Sequence, residues 1–214
     1  MNDFVFISDF DGTITKKDFY WILLDDYIGQ KGIDYYKEWK KTKKIGTEFL
    51  NKVFTWHTFT DEERRQALNK VDIDEKLPDV IEEVKKQGGD FVILSAGFRY
   101  YIDYVLKQDG LDKIPVYTNE GSFKENTFVM EPDKNSPYYS EIYGIDKEKV
   151  ALEHRKKYKK VYFAGDSEPD YKAAICADVI FAKDELARLL DESGRTYIKY
   201  SSFEDILNYL KAEK

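Results

Sequence analysis

Six short runs rich in Val, Ile, Phe and Tyr, separated by stretches of helical spacing, constrain this chain more than any other feature. The runs fall at residues 4–7, 91–94, 114–117, 161–164, 179–182 and 197–199. Their β-branched and aromatic content favours strands. Between most of them lie apolar stripes at helical spacing. Leu77, Val80, Ile81 and Val84 form one, closed by Gly88 and Gly89; Ile102, Val105 and Leu106 form another before Gly110. Leu186, Leu189 and Leu190 precede Gly194, and Phe203, Ile206, Leu207 and Leu210 form the last. Strands alternating with helices through short connections predict an α/β fold: a Rossmann-like parallel sheet with helices on both faces.

Two segments break the rhythm. Residues 16–74 hold no convincing strand, only helical patterns rich in aromatics such as Phe19, Trp21, Tyr35, Trp39 and Phe54, punctuated by Gly29, Gly32 and Gly46. This predicts a helical cap at 16–74 inserted after the first strand, with 1–15 and 75–214 forming the α/β core. Residues 123–128 have the pattern of a hairpin, followed by a loop carrying Pro132 and Pro137.

Composition narrows the function classes. The chain has 214 residues, a net charge of −7 and 16% aromatics. That acidity offers no general attraction to nucleic acid or anionic membrane, and the aromatic content argues against disorder. No apolar run approaches the roughly 20 residues of a membrane helix, and no basic-then-apolar leader opens the sequence. A single cysteine, Cys176, cannot form an internal disulfide, so a reducing cytoplasm is expected. The lysine run KEWKKTKK at 37–44 reads as a solvated helix face. His57 and His154 lack metal-ligand spacing.

Ligands of open parallel sheets bind beyond the carboxyl ends of the strands, and three of the predicted strands end in polar groups. The first runs into Ser8-Asp9-Phe10-Asp11-Gly12-Thr13, the second into Ser95-Ala96-Gly97, the fourth into Gly165-Asp166-Ser167-Glu168-Pro169-Asp170. Asp or Ser at one such end is an ordinary turn or cap residue. Three ends meeting in one crevice would combine hard oxygen ligands suited to Mg²⁺ with small residues that let N–H groups approach a phosphate.

These residues resemble the motifs of the haloacid dehalogenase-like hydrolase superfamily, in its phosphatase branch. DFDGT at 9–13 is similar to the first motif, LSAG with Ser95 to the second, and GDSEPD at 165–170 to the fourth. The helical insert directly after the first motif resembles the cap of the phosphoserine-phosphatase-like subfamily. DFDGTIT followed by Asp18, with YTNEGSF and GDSEPD, is similar to methionine-salvage phosphatases acting on a methylthio-ketose phosphate.

The resemblance implies Asp9 as nucleophile, Asp11 as acid and base, and Ser95, Ala96 and Gly97 as phosphate ligands. It implies Mg²⁺ held by Asp9, Asp166 and the Asp11 carbonyl, with Asp170 supporting. The family lysine falls in GIDKEKV: Lys147, which opens the predicted helix, is preferred, and Lys149 stays open. Asp18 and Arg99 are candidate substrate contacts. The partner implied is a small phosphorylated metabolite, with the protein a monomer or homodimer. Phosphoserine-like or phospho-amino-alcohol phosphatase, phosphotransferase, and a non-catalytic phosphate-binding protein remain open alternatives.

Overall fold

The computed structural model describes residues 3–213. In chain order the strands are β1 (Phe4–Ser8), β2 (Asp90–Phe98), β3 (Val116–Lys124), β4 (Thr127–Glu131), β5 (Tyr139–Ser140), β6 (Gly144–Ile145), β7 (Lys160–Gly165), β8 (Val179–Ala182) and β9 (Ile198–Lys199). The helices are α1 (Phe19–Leu23), α2 (Gln30–Lys40), α3 (Thr47–Phe54), α4 (Asp61–Asn69), α5 (Leu77–Lys86), α6 (Arg99–Gln108), α7 (Lys147–Lys157), α8 (Tyr171–Ala174), α9 (Asp184–Glu192) and α10 (Phe203–Ala212). A single π-helical turn, Leu24–Ile28, links α1 to α2.

Among the described residues, a seven-stranded sheet runs in the order β4-β3-β2-β1-β7-β8-β9. All its pairings are parallel except β3 with β4. β1 lies at the centre and is buried throughout. The period-2 alternation of a strand sends its side chains to two cores. Phe4 and Phe6, with Phe91 and Ile93, face the core shared with α5, α6 and α10. Val5 and Ile7, with Val92 and Leu94, face the core shared with α7 and α9. The expected doubly covered sheet is therefore the fold.

One detail differs from the sequence reading and another extends it. β2 does not stop at Leu94 but continues to Phe98, with a register shift against β3 between those residues. The expected hairpin is an extension of the sheet, in which β3 runs on to pair antiparallel with β4 through Phe123–Phe128 and Lys124–Thr127. Its turn residues Glu125 and Asn126 both have positive φ, 49° and 59°, the backbone twist that two-residue hairpins require.

Helices α1 to α4 lie between two chain segments that pair at a neck. Thr15 and Ile73 bridge antiparallel; the Lys16 N–H donates to the Asp72 carbonyl at 2.9 Å and the Asp74 N–H to the Ile14 carbonyl at 2.8 Å. The helical segment also leans on the hairpin. The Asn51 amide donates to the Met130 carbonyl (3.0 Å) and accepts from the Met130 N–H (2.8 Å), in place of a further strand.

Candidate active site

The sheet order creates the crevice. The chain builds outward from β1 through β2 and β3, then returns to β7 on the other flank, so connections diverge between β1 and β7. The three polar strand ends lie on adjacent strands, β2, β1 and β7.

Asp9 continues the line of β1. Its N–H donates to the Ala164 carbonyl at 2.9 Å, which fixes the carboxylate above β7, and the residue is 3% exposed. Phe10 is fully buried as a plug into the core. Gly12 then turns with φ +73°, where a Cβ would lie 2.5 Å from Asp166 Oδ2 and 2.9 Å from Asp18 Oδ1. Only glycine permits that conformation and that approach without strain.

Lys147, the first residue of α7, is buried. Its Nζ donates to Asp9 Oδ1 at 2.5 Å and to Asp170 Oδ1 at 2.6 Å. Asp170 is fully buried; its Oδ2 accepts the N–H groups of Asp166 and Ser167, each at 3.1 Å. One carboxylate thus shapes the loop after β7 and holds the lysine. Asp166 accepts from Thr13 Oγ1 at 3.1 Å. One oxygen from each of Asp9, Asp166 and Asp170 lies within 4.8 Å of the others.

Charge in this cluster is unbalanced. Burial and the neighbouring Asp170 push Asp9 up to about 7, against the pull of Lys147. Burial, then Asp9 and Asp170, raise Asp166 well above the carboxylate range. Burial lowers the Lys147 ammonium's affinity for its proton, but Asp170 and Asp9 more than reverse this, so it stays charged. One lysine against three converging carboxylates leaves excess negative charge, and the all-oxygen donor set suits a hard divalent cation such as Mg²⁺. The residues present fit such an ion.

Asp11 faces the cavity from the other side. Its Oδ1 accepts the Phe19 N–H at 3.0 Å, and its Oδ2 accepts from Ser95 Oγ at 3.3 Å and from the Tyr101 hydroxyl. Burial raises its pKa in spite of these donors. The Gly97 N–H donates to Ser95 Oγ at 2.9 Å. The Asn119 amide nitrogen lies 3.1 and 3.0 Å from the Ala96 and Gly97 carbonyls, which fixes the bulged end of β2.

A cavity of about 310 Å³ opens above these groups, with Asp9, Asp11, Ser95, Ala96, Gly97 and Lys147 at its floor. Phe19, Ile45, Leu50, Phe54 and Phe98 supply apolar walls. Asp18 also lines it; burial, then the charges of Asp11 and Asp9, push its carboxyl up to about 7.

The sequence-predicted residues therefore converge, with one exception. Arg99 is not among the residues lining the cavity. Its guanidinium is drawn to Glu120 (3.0 Å) and the Val116 carbonyl (3.3 Å), because α6 starts on the side of β3. Of the two candidate lysines, Lys147 reaches Asp9 and Asp170, whereas Lys149 is half-exposed beside Asp146 and donates to the Tyr139 carbonyl.

The run KEWKKTKK does more than face solvent. Lys40, Lys43 and Lys44 are exposed, as expected, and also line the cavity. Lys40 pairs with Glu185 at 3.3 Å and Lys44 with Glu168 at 2.5 Å, both across to the α/β core. Sequence reasoning missed Tyr101, Asn119, Glu168 and Glu185 in the site. Asn119 and Glu168 left a signal, inside YTNEGSF and GDSEPD.

The model of the haloacid dehalogenase-like hydrolase family matches residues 6–174. The chain is 27% identical over 208 residues to a 2-hydroxy-3-keto-5-methylthiopentenyl-1-phosphate phosphatase of Bacillus pumilus, covering 92% of this chain and 87% of that protein. It is 24% identical over 211 residues to one of Exiguobacterium sibiricum, covering 96% and 95%. Among solved structures, a phosphoserine phosphatase described as a phospho-aspartyl intermediate analogue superposes with a TM-score of 0.70 at 17% identity, covering 98% of this chain and 99% of that one. A substrate-bound phosphoserine phosphatase gives 0.72 at 16%, with the same coverage. With the family's model spanning most of the sequence and the fold shared end to end, the chain belongs to the haloacid dehalogenase-like hydrolases.

Proposed function

We propose that this protein is a Mg²⁺-dependent phosphatase that hydrolyses a small phosphorylated metabolite through an aspartyl-phosphate on Asp9. The observation that carries the reading is the buried pairing of Asp9 with Lys147 at 2.5 Å, on the floor of a cavity that Asp11 and Ser95 also reach. A carboxylate with one oxygen held by a fixed cation is oriented for attack on phosphorus.

In the first step an Asp9 oxygen bonds to phosphorus and the ester P–O bond breaks, its electron pair leaving with the alkoxide. Asp11 delivers a proton to that oxygen. In the second step Asp11 takes a proton from water, the water oxygen bonds to phosphorus, and the P–O bond to Asp9 breaks, freeing inorganic phosphate. Ser95 and the N–H groups around Gly97 bind the transferring phosphoryl, where positioning and electrostatics supply most of the catalysis. Asp9, Asp166 and the Asp11 carbonyl would hold Mg²⁺, with Asp170 in support; when bound, the ion neutralises charge on the phosphoryl oxygens. Helices α1 to α4 act as a cap that excludes water and selects the substrate.

The substrate reading rests on the walls. Apolar Phe19, Ile45, Leu50, Phe54 and Phe98 above the carboxylates suit an uncharged, thioether-bearing chain better than a zwitterionic amino-acid head. The names of the sequence relatives point to the same methylthio-ketose phosphate. Phosphate release with Mg²⁺ from a panel containing that ketose phosphate, phosphoserine and phosphoethanolamine tests both levels. The highest kcat/KM is expected on the thioether substrate. Turnover of the others alone rejects the substrate assignment, and no turnover of any ester rejects the phosphatase.

A further inference from the structure

Tyr101 is the unexplained neighbour of the reacting groups. It lies in the first turn of α6, is 1% exposed, and donates its hydroxyl to Asp11 Oδ2. Its ring is held on three sides. Phe19 stacks on it at 4.4 Å and 13°, Phe98 meets it edge-on at 4.9 Å, and Phe10 is tilted against it at 6.0 Å. A Cβ on Gly97 would lie 1.9 Å from the Tyr101 hydroxyl. The phenol thus fills a space that exists because residue 97 has no side chain. A buried hydroxyl fixed this tightly on one carboxylate oxygen is more than packing, because phenylalanine would fill the same ring site.

The hydrogen-bond inventory shows what the phenol adds. Ser95 Oγ carries one proton, now given to Asp11 Oδ2 at 3.3 Å. If Ser95 turns that proton to a phosphoryl oxygen, as the proposed function requires, it releases Asp11. Tyr101 is then the side-chain donor left on Oδ2, opposite the Phe19 N–H on Oδ1.

We infer that Tyr101 is the positioning residue for Asp11, holding its carboxylate in place during water activation while Ser95 is engaged by the phosphoryl group. This rests on the phosphatase reading and adds to it a residue that acts through Asp11 without touching substrate. In the step concerned, Asp11 accepts a proton from water, the water oxygen bonds to phosphorus, and the electron pair of the breaking P–O bond returns to Asp9. A carboxylate free to rotate spends less time in line for that proton.

The test uses p-nitrophenyl phosphate, whose leaving group needs no proton, with Mg²⁺ and rapid mixing. The burst of p-nitrophenolate reports phosphorylation of Asp9, and acid-quenched phosphoenzyme reports its decay. Tyr101→Phe should leave the burst rate within about twofold and slow phosphoenzyme decay about 10- to 100-fold, the worth of one hydrogen bond to a charged group. In an Asp11→Asn background, where decay is already slow, Tyr101→Phe should slow it no further. Equal slowing of burst and decay, or losses that add in the double variant, would mean a general structural role and overturn the inference. So would an unchanged decay rate. No hydrolysis by the wild-type protein would instead defeat the phosphatase reading on which the inference stands.

Discussion

Replacing Lys147 by Met keeps an unbranched side chain, one atom shorter, and removes the one buried cation of the cluster. The structure fixes the consequence. Lys147 is bonded to Asp9 at 2.5 Å and Asp170 at 2.6 Å, with the three side chains 3%, 5% and 0% exposed. Removing one partner of a buried ion pair leaves uncompensated charge and costs about 3–5 kcal/mol. In a chain of this size that lowers the melting temperature by roughly 6–20 °C.

The loss depends on pH. Asp9 is raised to about 7 even with the lysine present, and without that cation's pull it holds its proton to higher pH still. The folded variant then binds more protons than the unfolded chain above the ordinary aspartate range, so its stability falls as pH rises. The deficit against wild type is therefore larger at pH 8 than at pH 5. Thermal unfolding in EDTA at the two pH values, with Lys149→Gln as control, measures it. Lys149 is half-exposed, and its substitution is expected to change stability by less than about 0.5 kcal/mol. Equal effects at 147 and 149, or a Lys147→Met deficit independent of pH, would refute the reasoning.

Asp18 behaves in the same direction. Its folded pKa of about 7 lies above the 3.8 of an ordinary aspartate, so without metal it lowers stability progressively from about pH 4 to pH 7. Asp18→Asn should be neutral near pH 4 and stabilising by about 1–2 kcal/mol at pH 8 in EDTA, a figure reduced from the full linkage value because the group is part-exposed; chemical denaturation at both pH values checks it. Asn51→Ala strands the Met130 N–H and carbonyl and should destabilise by about 1–3 kcal/mol. Hydrogen exchange should then quicken at the Met130 amide first.

Periodicity alone carried the sheet and its flanking helices, because strands buried on both faces leave continuous apolar runs and their helices leave stripes. The end of β2 was less legible. Ser95, Ala96 and Gly97 look like a turn locally; pairing with β3 on either side of them, at Leu94 and Phe98, together with Asn119 on the Ala96 and Gly97 carbonyls, holds them extended. Asp9, Asp11, Asp166 and Lys147 stand in local motifs and could be named before any fold was known. Tyr101 and Glu185 could not, because their relevance is a matter of distance across the fold. Tyr101 is 90 positions from Asp11 and Glu185 is 145 from Lys40. The lysine run was legible only in part, for the same reason. A basic helix end is usually solvated, and nothing in KEWKKTKK discloses the glutamates facing it from the core.

The central claim is that Asp9 carries the phosphoryl group. Mass spectrometry of protein acid-quenched during turnover of p-nitrophenyl phosphate with Mg²⁺ tests it directly, with Asp11→Asn used to slow decay of the intermediate. A single added phosphoryl group on the peptide containing Asp9, absent from Asp9→Asn, is the predicted result. Turnover without any such adduct, or an adduct that persists when Asp9 is replaced, would contradict it.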